Sequence, residues 1–263
     1  MITRIITGLI LLVLSIINTI KGGLLFNYFI GISALIMTYE SLCLYKKKPY
    51  SLSSLLSYLT VSFIIFSATQ PYIKSLLNSK LLFILIVLTI GIHLFELFTK
   101  KLFLYSSSFG GYIKTIILVG ISSPFLILIR NETNGLLLTL YLCSIIWACD
   151  TGAYFYGKKF GRHKLNILSP KKTIEGSIVG LLLGTLSGTL IALFTDLSFL
   201  TFFTLAFFIS LTAQLSDLYE SLLKRTANKK DSSTILPGHG GILDRCDSFI
   251  LTLPLFYMAL RLV

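Results

Sequence analysis

Long apolar stretches separated by short polar segments dominate the chain. A helix needs about 20 apolar residues to cross the hydrocarbon core of a bilayer, and somewhat fewer where flanking side chains reach the interface. Nine stretches approach this length, and the ninth is short: 5–20, 24–44, 52–69, 81–98, 112–129, 135–149, 174–194, 197–215 and 249–260. The pattern predicts an all-α polytopic integral membrane protein with about nine transmembrane helices.

The composition supports this class. Hydrophobic residues make up 54% of the chain and charged residues 13%, whereas charged residues are about 25% of a typical soluble domain. The first apolar stretch follows Arg4, as the apolar stretch of a secretory signal follows a basic residue. It lacks a small-x-small cleavage site, and a second apolar stretch follows at once. We therefore predict a helix that is retained in the protein. The four cysteines form no C-x-x-C pair, which indicates neither a zinc site nor a disulfide framework.

The basic residues predict the orientation. If all nine stretches span the bilayer, 18 of the 23 Lys and Arg residues fall on one side. The positive-inside rule places that side in the cytoplasm. We therefore expect a multi-pass protein of the cytoplasmic (inner) membrane, with its N-terminus inside and its C-terminus outside.

Polar chemistry is concentrated in the second half, because eight of the eleven acidic residues lie between positions 150 and 247. We expect one integrated membrane domain, with N-terminal helices in 1–140 and a catalytic half in 141–263 whose site faces the cytoplasm. Glu40, His93 and Glu96 are ionisable groups inside early spans. For these three, hydrogen bonds between helices are favoured over catalysis.

A polar stripe is predicted on the eighth helix if that helix continues beyond the bilayer. Its members recur at steps of four and three, which places them on one face of an α-helix: Ser210, Gln214, Asp217, Ser221, Lys224, Asn228 and Asp231. The alternative is a solvated helix end. Asp217, however, follows a strongly apolar run, where an unpaired carboxylate would be costly.

A glycine-rich turn, 237–241, precedes Asp244 and Asp247. Glycines let backbone N–H groups approach an anion, and Asp244 and Asp247 would share a helical face. Mg²⁺ commonly binds one or two carboxylates together with substrate phosphates. Asp217 and Asp244 are predicted as the metal ligands, with Asp231 and Asp247 in auxiliary positions. His239 is expected to contact phosphate or brace the turn rather than bind Mg²⁺.

A third polar segment, predicted as a loop, runs from Asp150 to the start of the seventh span. Ser169 before Pro170 predicts a helix start, which would place Lys171 and Lys172 beside free N–H groups in the first helical turn. Cations are unfavourable there unless an anion is bound. The segment therefore predicts phosphate binding, and a basic loop touching anionic headgroups is the alternative.

The run from 221 to 247 resembles the signature of the phosphatidate cytidylyltransferase, or CDP-diacylglycerol synthase, family. The matching residues are Ser221, Lys224, Arg225, Lys230, Asp231, Pro237, His239, Gly240, Gly241, Asp244, Arg245 and Asp247. The S-P-K-K-T-x-E-G segment at 169–176 and the D-x-x-A-Y segment at 150–154 are also similar to that family. Cys246 and Ile174 depart mildly from its pattern, and residues before about 140 resemble it only in hydropathy.

The resemblance implies a multi-helix membrane enzyme, expected to be a homodimer, that joins CTP to phosphatidic acid and releases pyrophosphate. It implies Mg²⁺ as cofactor, with K⁺ as a candidate second ion, and no nucleic-acid partner is expected. Predicted phosphate-binding residues are Lys224 and Arg225 at the reacting centre, Arg245 there or bracing carboxylates, and Lys171 and Lys172 on the triphosphate or the lipid phosphate. Further predicted substrate contacts are Ser221, His239, Gly240 and Gly241.

Two alternatives remain open. One is a related CTP-using membrane enzyme that acts on another lipid phosphate or on a polyprenol. The other is a transporter of anionic lipids, in which polar groups would lie near the midplane of the membrane and be spread over two repeats. In this sequence the polar groups crowd one half of the chain.

Overall fold

The computed structural model of the chain describes residues 2–70, 80–102, 105, 107, 109–166, 168–192 and 198–261. The helices in these ranges are α1 (Ile2–Lys21), α2 (Gly23–Leu44), α3 (Leu52–Ala68), α4 (Lys80–Thr99), α5 (Gly110–Arg130), α6 (Gly135–Phe160), α7 (Ile174–Ala192), α8 (Phe199–Thr226), α9 (Leu243–Cys246) and α10 (Thr252–Leu260). Strands β1 (Lys164–Asn166) and β2 (Ser169–Thr173) form an antiparallel hairpin. A 3₁₀ turn (Asp247–Phe249) follows α9, and α5 contains a π-helical segment, Ile116–Ile121.

The helices confirm an all-α polytopic membrane protein. Within the described ranges, six helices are long and apolar enough to cross a membrane: α1, α2, α5, α6, α7 and α8. Helix α3 and the apolar part of α4, Ile86–Thr99, are shorter. The predicted ninth span corresponds to the 3₁₀ turn and the nine-residue α10, and Leu197, the predicted start of the eighth, lies outside the described residues. The count of nine spans stays a prediction.

Helix α6 is longer than the predicted span 135–149. It continues through Asp150 to Phe160, so the prediction that Asp150 begins a loop is wrong. The segment 150–160 contains no proline, and its small residues pack closely against α7, as at Gly152 and Gly157. With 26 residues, α6 is about 39 Å long and exceeds a hydrocarbon core of about 30 Å.

The predicted helix start at Ser169 is also wrong. Residues Ser169–Thr173 form β2, paired with β1, and α7 begins at Ile174. A residue that precedes proline favours extended backbone, which suits Ser169 to a strand. Thr173 instead caps the helix, since its hydroxyl accepts a hydrogen bond from the N–H of Gly176 at 3.1 Å. Lys171 and Lys172 therefore do not lie in a first helical turn.

The polar stripe on α8 is present in its membrane-side part. Gln214 donates to the backbone of Ser177 at 3.1 Å, and the hydroxyl of Ser177 hydrogen-bonds back to Gln214. The stripe does not extend to Asn228 and Asp231, because α8 ends at Thr226 and Asn228 takes a left-handed backbone with φ of 58°. Asparagine is one of the few residues that tolerates this conformation.

Apolar packing joins α8 to both halves of the chain. One core cluster includes residues of α5, α6, α8 and α10, and a second includes residues of α2, α3, α5 and α8. Between α4, α5 and α8, buried Lys114 pairs with Glu96 at 2.8 Å, and the hydroxyl of Tyr219 donates to Glu96 at 3.0 Å. The ring of His93 meets the Tyr219 ring edge-on at 4.5 Å between centroids. These groups link helices.

Candidate active site

Three carboxylates act on one another electrostatically where α6 and α8 meet the 3₁₀ turn. They are Asp150 on α6, Asp217 on α8 and Asp247 at the start of the turn, and we call them the carboxylate cluster. The hydroxyl of Ser216 hydrogen-bonds to the backbone carbonyl of Asp247 and so ties the turn to α8. Lys172 of β2 forms an ion pair with Asp217. The pairing of β2 with β1 thus positions the ammonium group of Lys172 beside the cluster.

The cluster carries more negative charge than its protein neighbours neutralise. Burial, and then the charges of Asp217 and Asp150, raise the pKa of Asp247 above its ordinary value. A cation placed among these carboxylates would relieve that repulsion. In the described part of the chain, no group of three or more His, Cys, Asp or Glu side chains is arranged to hold a metal ion. An ion bound here would have to take part of its coordination from other ligands, as Mg²⁺ commonly does from substrate phosphates.

A second charged centre surrounds Lys224, near the end of α8. Its ammonium group forms an ion pair with buried Glu220, one helical turn earlier, and lies 2.9 Å from a carboxylate oxygen of Asp244. From the sequence, Lys224 was predicted to bind a phosphate, and no role was predicted for Glu220. In the structure two carboxylates share the charge of Lys224.

Asp244 organises the glycine-rich turn. Its carboxylate accepts hydrogen bonds from the N–H of Gly241 at 2.8 Å and from the N–H and hydroxyl of Ser232 at 2.9 and 3.0 Å. Burial alone would raise the pKa of Asp244, but the N–H of Gly241 and the ammonium of Lys224 hold it below its ordinary value. At Gly240, with φ of 82°, a Cβ atom would collide with this carboxylate.

The two predicted metal ligands, Asp217 and Asp244, have different neighbours in the structure. Asp217 lies with Asp150 and Asp247, whereas Asp244 is engaged by Lys224 and the glycine-rich turn. Asp244 and Asp247 also face different partners, because α9 ends at Cys246 and the backbone enters the 3₁₀ turn. Asp150, which the sequence showed only within a family-like segment, completes the carboxylate cluster.

Glu40 on α2 holds the same turn from the opposite side. Its fully buried carboxylate accepts hydrogen bonds from the N–H groups of Ile242 and Leu243 at 3.0 and 2.7 Å, and from the hydroxyls of Ser233 and Ser232 at 2.6 and 3.3 Å. A carboxylate inside an apolar stretch was the sequence signal. The expected contact between two membrane helices is instead an anchor for the loop that precedes α9.

The other predicted site residues differ in their exposure and in their contacts. Arg225 is exposed and donates to the carbonyls of Leu168 and Lys229 at 3.3 and 3.2 Å, so it braces the hairpin against the end of α8. Ser221 is buried in α8, whereas Lys171 on β2 and Asp231 after α8 are exposed. His239 is half-buried and Arg245 exposed, and both face α1 rather than the carboxylate cluster.

The fold and these centres define a polytopic membrane protein with acidic and basic side chains gathered around the end of α8. The cytidylyltransferase family model matches residues 2–263. The chain is similar to a phosphatidate cytidylyltransferase of Bacillus subtilis (strain 168), 33% identical over 267 residues, which covers 98% of this chain and 97% of that protein. It is also similar to a phosphatidate cytidylyltransferase of Staphylococcus aureus (strain COL), 37% identical over 264 residues and 98% of both chains.

The chain belongs to the cytidylyltransferase family. This confirms the family that the motifs at 150–154, 169–176 and 221–247 predicted, and with it the enzyme class, a nucleotidyltransferase in a membrane environment.

Proposed function

We propose that the chain transfers CMP from CTP to phosphatidic acid, producing CDP-diacylglycerol and pyrophosphate. The names of the relatives in two bacterial genera support this activity. The structural observation that carries it is the carboxylate cluster with Lys172 ion-paired to Asp217, in a protein whose long helices are mainly apolar. Such a cluster has the charges needed to bring two phosphate-bearing substrates together.

The reaction joins two polyanions, so positioning and charge neutralisation supply most of the catalysis. A phosphate oxygen of the lipid forms a bond to the α-phosphorus of CTP, while the bond from that phosphorus to the bridging oxygen of the β-phosphate breaks and pyrophosphate leaves. A phosphomonoester is already largely ionised near neutral pH, so no general base is needed. Lys172 and exposed Lys171, both on β2, would contact these phosphates.

Mg²⁺ is the proposed cofactor, with K⁺ as a candidate second ion, and Asp217, Asp247 and Asp150 would hold the metal. When bound, the metal would neutralise phosphate charge and orient the reacting groups. Asp244 and Glu40 act indirectly in this proposal, by fixing the turn that leads to Asp247.

The proposed setting is the cytoplasmic membrane, with the N-terminus and the carboxylate cluster on the cytoplasmic side. We expect cysteines introduced at exposed Lys159 and Asn228 to react with a membrane-impermeant maleimide only in inverted vesicles or after permeabilisation. Glu132, in the loop between α5 and α6, provides the control on the opposite side. Labelling of Lys159→Cys or Asn228→Cys from outside intact cells would contradict this orientation.

We further propose a homodimer with no nucleic-acid partner. Mass measurement of the protein released from lipid nanodiscs tests the dimer directly.

The activity is tested by comparing lipid acceptors in nanodiscs. With CTP and Mg²⁺, phosphatidic acid should support pyrophosphate release in equimolar amount to CDP-diacylglycerol formed. Nanodiscs with only phosphatidylcholine should support neither. Faster turnover with polyprenyl phosphate or an ether-lipid phosphate would assign the chain to a related enzyme, and transport of phosphatidic acid without pyrophosphate release would favour a transporter.

A further inference from the structure

A cavity of about 440 Å³ lies between α1 and the rest of the bundle. Its volume is within the range of about 300–1,000 Å³ usual for small-molecule sites. Its walls are mainly apolar and include Leu11 of α1, Phe29 of α2, Leu118 of the π-helical segment and Phe249 of the 3₁₀ turn. If a methylene takes about the volume of a water molecule, about 30 Å³, the cavity has room for about fifteen such groups. This capacity matches one lipid acyl chain.

One end of the cavity is basic. His239 and Arg245 both line it, and burial, followed by the charges of Arg245 and Arg4, lowers the pKa of His239. Arg4 of α1 lies against the same turn, because a Cβ atom built at Gly238 would be 3.1 Å from the Cβ of Arg4. This combination is complementary to a phosphate headgroup attached to a hydrocarbon chain.

The basic end adjoins the carboxylate cluster through the backbone. Arg245, Cys246 and Asp247 are consecutive, and the first two line the cavity while Asp247 belongs to the cluster. A lipid with its chain in the cavity and its phosphate beside Arg245 would have that phosphate two residues along the backbone from Asp247.

Helix α1 forms the outer wall and is fixed near both ends. At one end it contacts the glycine-rich turn, where a Cβ atom at Gly8 would lie 3.1 Å from the ring of His239. At the other end, Arg130 donates to the carbonyls of Thr19 and Ile20 at 2.8 and 3.1 Å. Among the six long apolar helices in the described ranges, α1 is the least buried, at 6% against 33–67%.

We propose that this cavity binds one acyl chain of the phosphate-bearing lipid substrate, with the lipid phosphate held by Arg4, His239 and Arg245. The proposal rests on the proposed function and adds to it a role for α1, a helix outside the family-like motifs. It predicts that a bulky side chain in the cavity lowers kcat/KM for long-chain lipids more than for short-chain lipids.

Phenylalanine substitutions on opposite walls test the proposal. Ser15 of α1 and Ser33 of α2 line the cavity, whereas their neighbours Leu14 and Ile32 are exposed on the outer surface of the same helices. We expect Ser15→Phe and Ser33→Phe to lower kcat/KM for dioleoyl phosphatidic acid by about tenfold, because the new ring displaces methylenes from an apolar site. Dihexanoyl phosphatidic acid should be used at nearly the wild-type rate. Leu14→Phe and Ile32→Phe are the matched controls.

Equal kinetics of cavity and control variants with both lipids would overturn the proposal while leaving the proposed function intact. If the cavity variants lose activity with both dioleoyl and dihexanoyl phosphatidic acid, the proposal is tested on the wild-type protein instead. The probe is then a photoreactive phosphatidic acid with a diazirine at the end of one acyl chain. Crosslinks to 11–19 or 29–37 that a phosphatidylcholine analogue does not give support the cavity. Crosslinks elsewhere, or equal crosslinks from both analogues, contradict it. A wild-type protein that turns over neither phosphatidic acid refutes the proposed function, and the crosslinks still test the cavity.

Discussion

Replacing Asp217 with Asn should lower the turnover of CTP by about a hundred- to a thousandfold, a loss comparable to that of one strong electrostatic contact in an active site. Asp217 forms the ion pair with Lys172, and its negative charge raises the pKa of Asp247. The amide keeps the shape but removes the negative charge that a metal ligand needs. Steady-state kinetics across a Mg²⁺ titration measures the effect.

Glu132→Gln is the matched control for this substitution. Glu132 also pairs with a basic residue, Arg261, but at a surface remote in sequence from the motifs, between α5 and α6. It should retain wild-type turnover, and both variants should insert into the membrane and elute as the wild type does. Near-normal turnover of Asp217→Asn at every Mg²⁺ concentration would exclude Asp217 as a ligand and would shift the search to Asp247 and Asp150.

Replacing Glu40 with Ala should abolish most activity by releasing the turn rather than by removing a reacting group. The N–H groups of Ile242 and Leu243 would lose their acceptor, and each buried donor left unsatisfied costs about 1–3 kcal/mol. Hydrogen exchange in 231–243 should become faster, while the cores around α5 and α6 stay protected. Glu40→Gln keeps one carbonyl acceptor and should fall between the wild type and Glu40→Ala.

Tyr39→Phe, at the adjacent position of α2, controls for general damage to the helix. The ring of Tyr39 packs against that of Tyr50, with 6.2 Å between centroids and a tilt of 47°. If Glu40→Ala loses activity without faster exchange in 231–243, Glu40 acts on the chemistry directly and the positioning role assigned to it is wrong.

The sequence predicted the membrane class and the charged residues for clear physical reasons. Apolar stretches must span a bilayer as helices, and regular steps of three and four place Gln214 and Asp217 on one face of α8, as the structure has them. Residue types also indicated phosphate and metal chemistry. None of this information specifies which carboxylates meet, because that depends on the packing of elements distant in sequence.

Three differences show where sequence patterns were insufficient. Ser169 resembles a helix cap, but the proline after it favours a strand and Thr173 takes the cap. Asp244 matches a metal-ligand motif, but the sequence did not show its contacts with Lys224 and the glycine-rich turn. Glu40 accepts a hydrogen bond from the N–H of Leu243, a residue that lies 203 positions later in the chain. Only the tertiary structure brings such partners together.

The transfer of an intact CMP unit is the central claim, and the position of a radiolabel in CTP tests it most directly. Purified protein in nanodiscs with phosphatidic acid and Mg²⁺ should make a labelled lipid from CTP labelled at the α-phosphorus, together with an equal amount of pyrophosphate. CTP labelled at the γ-phosphorus should label only pyrophosphate. Label entering the lipid from the γ position, with release of CDP, would make the protein a kinase and contradict the account.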